Sequence, residues 1–354
     1  MKFGVFILAQ RRSYKQSSAE VIHNAMEQTV TAEAAGFNTA WFAEHHFNKY
    51  SLTPSPLMAV AHAAGRTRTI RLGTAVCILP LYQPARFLAE VGFADTVSDG
   101  RLELGVGSGY QQFEFERFGT TVDDSWHVYN EFLDVIDIGL QGKNFEYQGK
   151  YIQMMPTSIA VDTVQKPGVP MWVTSNNPKT LQRAMRDGHN LFVTALLKGN
   201  EAIRDLRLKL EGIAQDDGQT LDDMTGKIGF LRCGYVSDNK AEIDHYLDCA
   251  RYQRRISESL KQRRQLTDDG YMMKEVPMTV DPDIEELRAA LPVGCVNEVV
   301  DKLLAEIEIL KPRHIALQTQ LGDFDQTTML RQIERWGERI IPEVRKALGA
   351  KAAA

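Results

Sequence analysis

The stretch SSAEVIHNAMEQTVTAEAAGFNTAWFAEHH, residues 17–46, carries two structural periods back to back. Ser17-Ser18-Ala19-Glu20 has the spacing of a capping box, in which a serine and a glutamate three residues later satisfy each other's backbone N–H groups. Val21, Ile22, Ala25, Met26 and Val30 recur at helical spacing and give that helix its apolar face, and Gly36 supplies the C′ residue that ends it. Thr39–Ala43 then switches to a short apolar run that reads as a buried strand. A helix feeding directly into a strand is half of a βαβ unit, so the sheet is expected to be parallel.

Outward from this unit the alternation continues. Apolar runs at Phe3–Leu8, Ile70–Leu79, Leu102–Val106, Pro170–Thr174, Asn190–Thr194, Lys227–Val236 and His314–Gln318 join Thr39–Ala43 to make eight, with amphipathic stretches between most of them. Eight is the number a closed (β/α)8 TIM barrel requires, and about 250 residues suffice for its bare form. One barrel domain over residues 1–350 is expected, with the surplus in two insertions. Residues 142–166 contain strand-like pieces of their own; residues 249–291 are polar and irregular and are expected to form a mobile lid. An open doubly wound sheet is the competing arrangement of the same alternation. The closing GAKAAA is expected to fray.

Bulk composition narrows the function classes. Of 354 residues, 44% are hydrophobic and 25% charged, as in a globular protein with a sizeable core. A net charge of −5 gives no reason to expect a nucleic-acid partner. No run of eighteen apolar residues occurs, and MKFGVFILAQRR is too short to span a membrane and lacks a small-residue cleavage site. Cys77, Cys233, Cys249 and Cys295 are scattered without a CxxC pair, which favours a reducing compartment; a cytoplasmic protein is expected.

In a barrel, reacting groups sit at the C-terminal ends of strands. Glu44, His45 and His46 follow the second predicted strand at such an end, either as chemistry or as the polar cap of a strand. Adjacent histidines on an extended chain point to opposite sides, and no second His/Asp pair stands nearby at ligand spacing, so no metal is expected. Gly105, Gly107 and Gly109 follow the fourth strand as G-x-G-x-G, not the G-x-G-x-x-G of a dinucleotide fingerprint. They would let the backbone approach a flat ligand, or make a tight turn. Thr174-Ser175-Asn176-Asn177 before Pro178 suits a helix N-terminus that binds phosphate, and equally suits plain capping. In IRLGTAVCILP (70–80), Gly73 and Thr74 interrupt an apolar strand, which signals a kink or close approach to something flat.

These segments together resemble the bacterial luciferase family of flavin-dependent monooxygenases, most closely its catalytic alpha subunit. The resemblance runs through MKFGVF (1–6), AAGFNTAWFAEHHF (34–47), RLGTAVCILP (71–80), DTVSDGRLELGVGSG (95–109), VPMWVTSN (169–176) and IIPEVRK (340–346). It implies a barrel holding reduced FMN at its C-terminal mouth. His45 then matches the histidine used in flavin oxygenation; Glu44 beside it either orients that ring or points away into a structural ion pair. Ala75-Val76 fall at a non-proline cis peptide under the isoalloxazine. Gly107 and Ser108 match the pair flanking the flavin, and Asn176, Asn177 and Thr180 the segment at the ring edge and phosphate. Tyr110 and Ser175 complete the expected cofactor-binding set.

Departures from the family pattern stand at Gly107, where luciferase has a reactive cysteine, and at Ser108 and Trp126, where it has arginines. Two cationic phosphate partners are thereby missing. Arg11, Arg12 and Lys15 either replace them or form a solvated charge run. Light emission is not expected.

The implied activity is a two-component monooxygenase: a separate NAD(P)H-dependent flavin reductase supplies reduced FMN, which reacts with O2 to a C4a-(hydro)peroxyflavin and oxygenates a small organic substrate. His45 would serve as general acid/base or hydrogen-bond donor. Two rivals share the fold: an F420-dependent hydride-transfer enzyme, and a non-catalytic flavin-binding partner subunit like the luciferase beta chain. The intact Glu-His-His-Phe run (44–47) argues against both. Trp126, Tyr110, Phe113, Phe115 and Met272-Met273 are either pocket lining or core. A homodimer is expected from the resemblance.

Overall fold

A computed structural model describes residues 1–224, 227–262 and 275–353. Eight parallel strands form its centre: β1 (Lys2–Ile7), β2 (Thr39–Phe42), β3 (Arg71–Thr74), β4 (Leu102–Gly107), β5 (Met171–Thr174), β6 (Asn190–Thr194), β7 (Ile228–Cys233) and β8 (His314–Gln318). They pair in chain order, β3 with β4 through Leu72↔Leu102 and Gly73↔Glu103, and β8 returns to β1 through Lys2↔His314. Every strand therefore has two neighbours and the sheet is a closed (β/α)8 barrel, which excludes the open doubly wound arrangement.

Around it run α1 (Ser18–Ala34), α2 (Pro56–Ala64), α3 (Pro84–Val97), α4 (Gln112–Arg117), α5 (Ser125–Gly139), α6 (Pro178–Arg186), α7 (Asn200–Asp216), α8 (Lys240–Gln262), α9 (Ile284–Ala290), α10 (Val296–Leu310), α11 (Gln326–Arg335) and α12 (Ile341–Ala353). No helix among the described residues is long and apolar enough to cross a membrane.

Local chemistry explains the element ends. Ser17 and Glu20 form the expected capping box, and Gly36 follows α1 with φ 80°. The buried residues of α1 are Val21, Ala25, Met26, Gln28, Thr29 and Ala32, whereas Ile22, in the first turn, is exposed. Residues 142–166 do contain extra strands, an antiparallel hairpin of Phe145–Gln148 with Gln153–Thr157. The lid reading needs correction at its start, because residues 249–262 are the second half of α8. Their charges are matched at helical spacing, as Arg254 with Glu258, while Ile256 and Leu260 turn inward. Residues 263–274, including Met272-Met273, lie outside the described residues.

The apolar run 70–79 is two short strands, with Cys77–Ile78 pairing to Val106–Gly107 and the non-proline cis bond Ala75-Val76 between. Gly73 approaches something flat as expected, namely the Trp41 ring: a Cβ there would lie 2.2 Å from Trp41 Cε3.

That ring belongs to a packed plug in the barrel interior. Trp41 meets Trp172 edge-on at 5.3 Å and Phe192 at 5.0 Å, and its Nε1–H donates to His314 Nε2 at 2.9 Å. Trp172 Nε1–H donates to Glu103, which also holds Arg71. Accepting from an indole requires a neutral imidazole, and burial lowers the His314 pKa from 6.5 to about 3. Between those values the unfolded chain binds a proton that the folded chain does not, so stability falls as pH drops through that window. From pH 7 to pH 5 the loss assigned to this residue is about 2 kcal/mol. In urea unfolding at the two pH values, His314→Gln will lose that much less stability than the parent.

Candidate active site

The ends of all eight strands surround a cavity of about 410 Å³, within the usual range for small-molecule sites. Its wall takes residues from the turns after β2 (Ala43–His45), β3 (Ala75, Val76, Ile78), β4 (Ser108–Tyr110), β5 (Ser175, Asn176) and β6 (Leu196, Leu197), and the strand ends Cys233 and Gln318. A larger cleft of about 1050 Å³ adjoins it, sharing Leu196, Leu197, Arg254 and Glu258.

After β2 the two adjacent histidine side chains diverge. His45 faces the cavity, while His46 turns away to Glu44, Nε2 to Oε1 at 2.8 Å. The other Glu44 oxygen accepts from Ile78 N–H at 3.1 Å and Tyr82 O–H at 2.7 Å. Glu44 thus braces the loop after β3 and holds His46. The carboxylate beside His45 is instead Glu114, from α4: its Oε1 lies 3.0 Å from His45 Nδ1 and accepts the His46 N–H at 2.7 Å. The Glu114 side chain is 1% exposed and that of His45 10%, so the contact is made largely out of water. An imidazole donating Nδ1–H to that carboxylate keeps Nε2 as the atom that gains or gives a proton.

Two tyrosines frame His45. The Tyr50 ring stands edge-on at 4.6 Å and the Tyr110 ring at 6.2 Å. Tyr110 O–H is 3.1 Å from Ser257 Oγ, and Gln253 donates to Tyr50 Oη at 2.5 Å, which ties α8 across the mouth. Burial first, and Tyr110 second, hold the Tyr50 phenol well above its ordinary pKa, so it stays protonated.

Of the expected cofactor-binding residues, the cavity wall brings together Ala75, Val76, Gly107, Ser108, Tyr110, Ser175 and Asn176. Asn177 and Thr180 are not on it. Asn177 caps α6, accepting from Lys179 N–H at 2.9 Å, and the Thr180 hydroxyl accepts from Trp126 Nε1–H at 2.8 Å. Phe113 and Phe115 are buried core. Gly105 is needed by its neighbour strand rather than by a ligand: a Cβ there would lie 2.0 Å from Thr74 O, and Thr74 Oγ1 bonds both Gly105 O (2.7 Å) and Gly105 N (2.8 Å).

The cations at the cavity were not singled out from the sequence, although two of them fall within residues 249–291. Lys209 of α7 and Arg254 and Lys261 of α8 line it, and Lys209 Nζ donates to Asn176 O at 2.9 Å. Arg12 is engaged elsewhere. It pairs with Asp248 at 2.8 Å and stacks on Tyr252 at 4.5 Å, fastening the loop after β1 to α8. Among the described residues two clusters have metal-ligand geometry, His245–Cys249–Asp323 and Asp137–Asp187–His189. Neither includes His45, and each already holds a cation: Arg12 Nη1 is 3.3 Å from Cys249 Sγ, and Arg183 pairs with Asp137 and Asp187.

The family profile of luciferase-like monooxygenases matches residues 1–310. An uncharacterised protein of Sinorhizobium fredii, y4vJ, is 57% identical over 353 residues, 100% of either chain. The oxygenase component of the flavin-dependent trigonelline monooxygenase of Acinetobacter baylyi is 28% identical over 245 residues, 68% of this chain and 67% of that one. Among solved structures, the oxygenating constituent of the Pseudomonas putida 3,6-diketocamphane monooxygenase, in complex with FMN, superposes with a TM-score of 0.78 at 18% identity, covering 97% and 98% of the two chains. An F420-dependent secondary alcohol dehydrogenase superposes at 0.73, also with 18% identity, covering 97% and 99%.

Proposed function

Because the chain belongs to the luciferase-like monooxygenase family, we propose that it is the oxygenase component of a two-component system, using reduced FMN from a separate NAD(P)H-dependent reductase to put one atom of O2 into a small organic substrate. The observation that carries this reading is the His45–Glu114 pair opening onto the cavity.

The residues present fit a flavin. Ala75 and Val76 offer a low wall against which a planar ring can lie, Ser108, Ser175 and Asn176 offer polar contacts at its edge, and Lys209 offers positive charge for a phosphate. Bound reduced FMN supplies the electrons that divide O2 between product and water. Around it, His45 Nε2 holds or releases a proton at the oxygen being transferred, Glu114 fixes the ring that does so, and α8, tied down through Tyr50 and Tyr110, limits the entry of water. Glu44 supports the site through Tyr82 and Ile78 rather than touching the reacting atoms.

F420 is the rival cofactor, carried by fold neighbours whose low identity to this chain bears on the fold alone. Anaerobic spectral titration separates the two. Reduced FMN is expected to bind one to one, and air admitted afterwards to be consumed faster when an organic substrate is present. Binding of reduced F420 with no binding of reduced FMN would overturn the proposal.

A further inference from the structure

The cavity has two unlike halves. Strands β2–β5 carry the features assigned above to the flavin: His45, the Ala75-Val76 wall and the polar turn at Ser175-Asn176. The opposite half, from β1, β6, β7 and β8, is walled by Phe6, Leu8, Phe192, Leu197 and Leu231. The charged wall residues near this half, Lys209, Arg254, Glu258 and Lys261, come from α7 and α8; none comes from those four strands or the turns directly after them. An ion placed there would give up its hydration with no counter-charge from these strands.

One polar group in this apolar half is left over. Gln318 ends β8 and is 3% exposed. Its Oε1 meets the Cys233 thiol at 3.8 Å, and burial holds that thiol up at about 11, so it stays a protonated donor. Its Nε2 has no hydrogen-bond partner, and among the described residues it is the one buried side-chain nitrogen or oxygen on the cavity wall left in that state. Nearby Thr194 shows the contrast: its hydroxyl donates to Leu231 O at 3.1 Å and accepts from Leu196 N–H at 2.9 Å. An amide nitrogen can only donate, and buried donors are normally paired.

We infer that Gln318 Nε2 anchors the organic substrate, which is uncharged, mostly apolar and presents a hydrogen-bond acceptor to that amide. The inference rests on the proposed function, since it gives the β2–β5 half to the flavin.

Three probes of one size test it: cyclohexanone, methylcyclohexane and cyclohexanecarboxylate. Each is titrated anaerobically into protein loaded with photoreduced FMN, with binding read by saturation-transfer NMR. The parent is expected to bind the ketone at least roughly tenfold more tightly than the other two. Gln318→Met, and Gln318→Leu as a second shape, will weaken the ketone about 10- to 100-fold and shift the hydrocarbon less than about threefold. A parent that binds none of the three, or does not prefer the ketone, overturns the inference without any variant. So do two folded variants that keep the preference. Failure of the parent to bind reduced FMN is a different result, and overturns the proposed function first.

Discussion

His45→Ala will bind reduced FMN within about threefold of the parent while oxygenated product per turnover falls roughly 10²- to 10⁴-fold, the usual contribution of a positioned acid/base. The imidazole touches the cavity with one edge and is held at the other by Glu114, so its removal takes away a proton-handling atom without dismantling the wall. Flavin oxidation will continue, and the missing product will leave as hydrogen peroxide. The ratio of product to peroxide is therefore the measurement. Glu114→Gln keeps a hydrogen-bond partner but not the charge, and will fall between the parent and His45→Ala. If His45→Ala retains product formation within about twofold, the proposed role is wrong.

The second large effect is on stability. Arg232, in β7, is fully buried; its Nε and Nη2 donate to Glu306 Oε1 at 2.9 and 2.7 Å, and its Nη1 and Nη2 to Leu196 O and Ala290 O at 2.9 and 2.6 Å. One side chain thus fastens the turn after β6 and the end of α9 to the barrel. Burial already pushes the Glu306 pKa up even with the arginine beside it. Arg232→Met will cost about 3–5 kcal/mol in urea unfolding, because it strands a buried carboxylate. Adding Glu306→Met will recover part of that loss but not the hydrogen bonds to Leu196 and Ala290. The double variant is therefore expected to be more stable than the single one, with a looser cavity rim.

Much of the architecture was legible because it rests on local signals. Strand runs such as Leu102–Val106 and His314–Gln318 need no partner to be recognised, and Asn177-Pro178 announces a helix start by itself. The Sinorhizobium relative and the family profile cover the same chain, so the resemblance read from scattered motifs is a relationship along most of its length. What stayed hidden is long-range pairing. Glu114 lies 69 residues from His45, inside a Phe-rich segment that reads as core. Glu44 looked like the partner of His45 because it is adjacent, yet the two side chains go to different partners. Glu44 is held by His46, two residues on, and by the Tyr82 hydroxyl, 38 residues away. The charged half of α8 was misread for a similar reason: Arg254 and Glu258 satisfy each other on the helix surface, and only the barrel below explains why Ile256 and Leu260 face inward.

Cys233 sits on the wall of the cavity, where the proposed function would have O2 react. Peroxides attack thiolates far faster than thiols, so a sulfur in that place is a liability only if it ionises. With burial keeping its proton on to about pH 11, this sulfur is slow to oxidise. Under the proposed function, peroxide released in the cavity would meet this sulfur in its less reactive, protonated form.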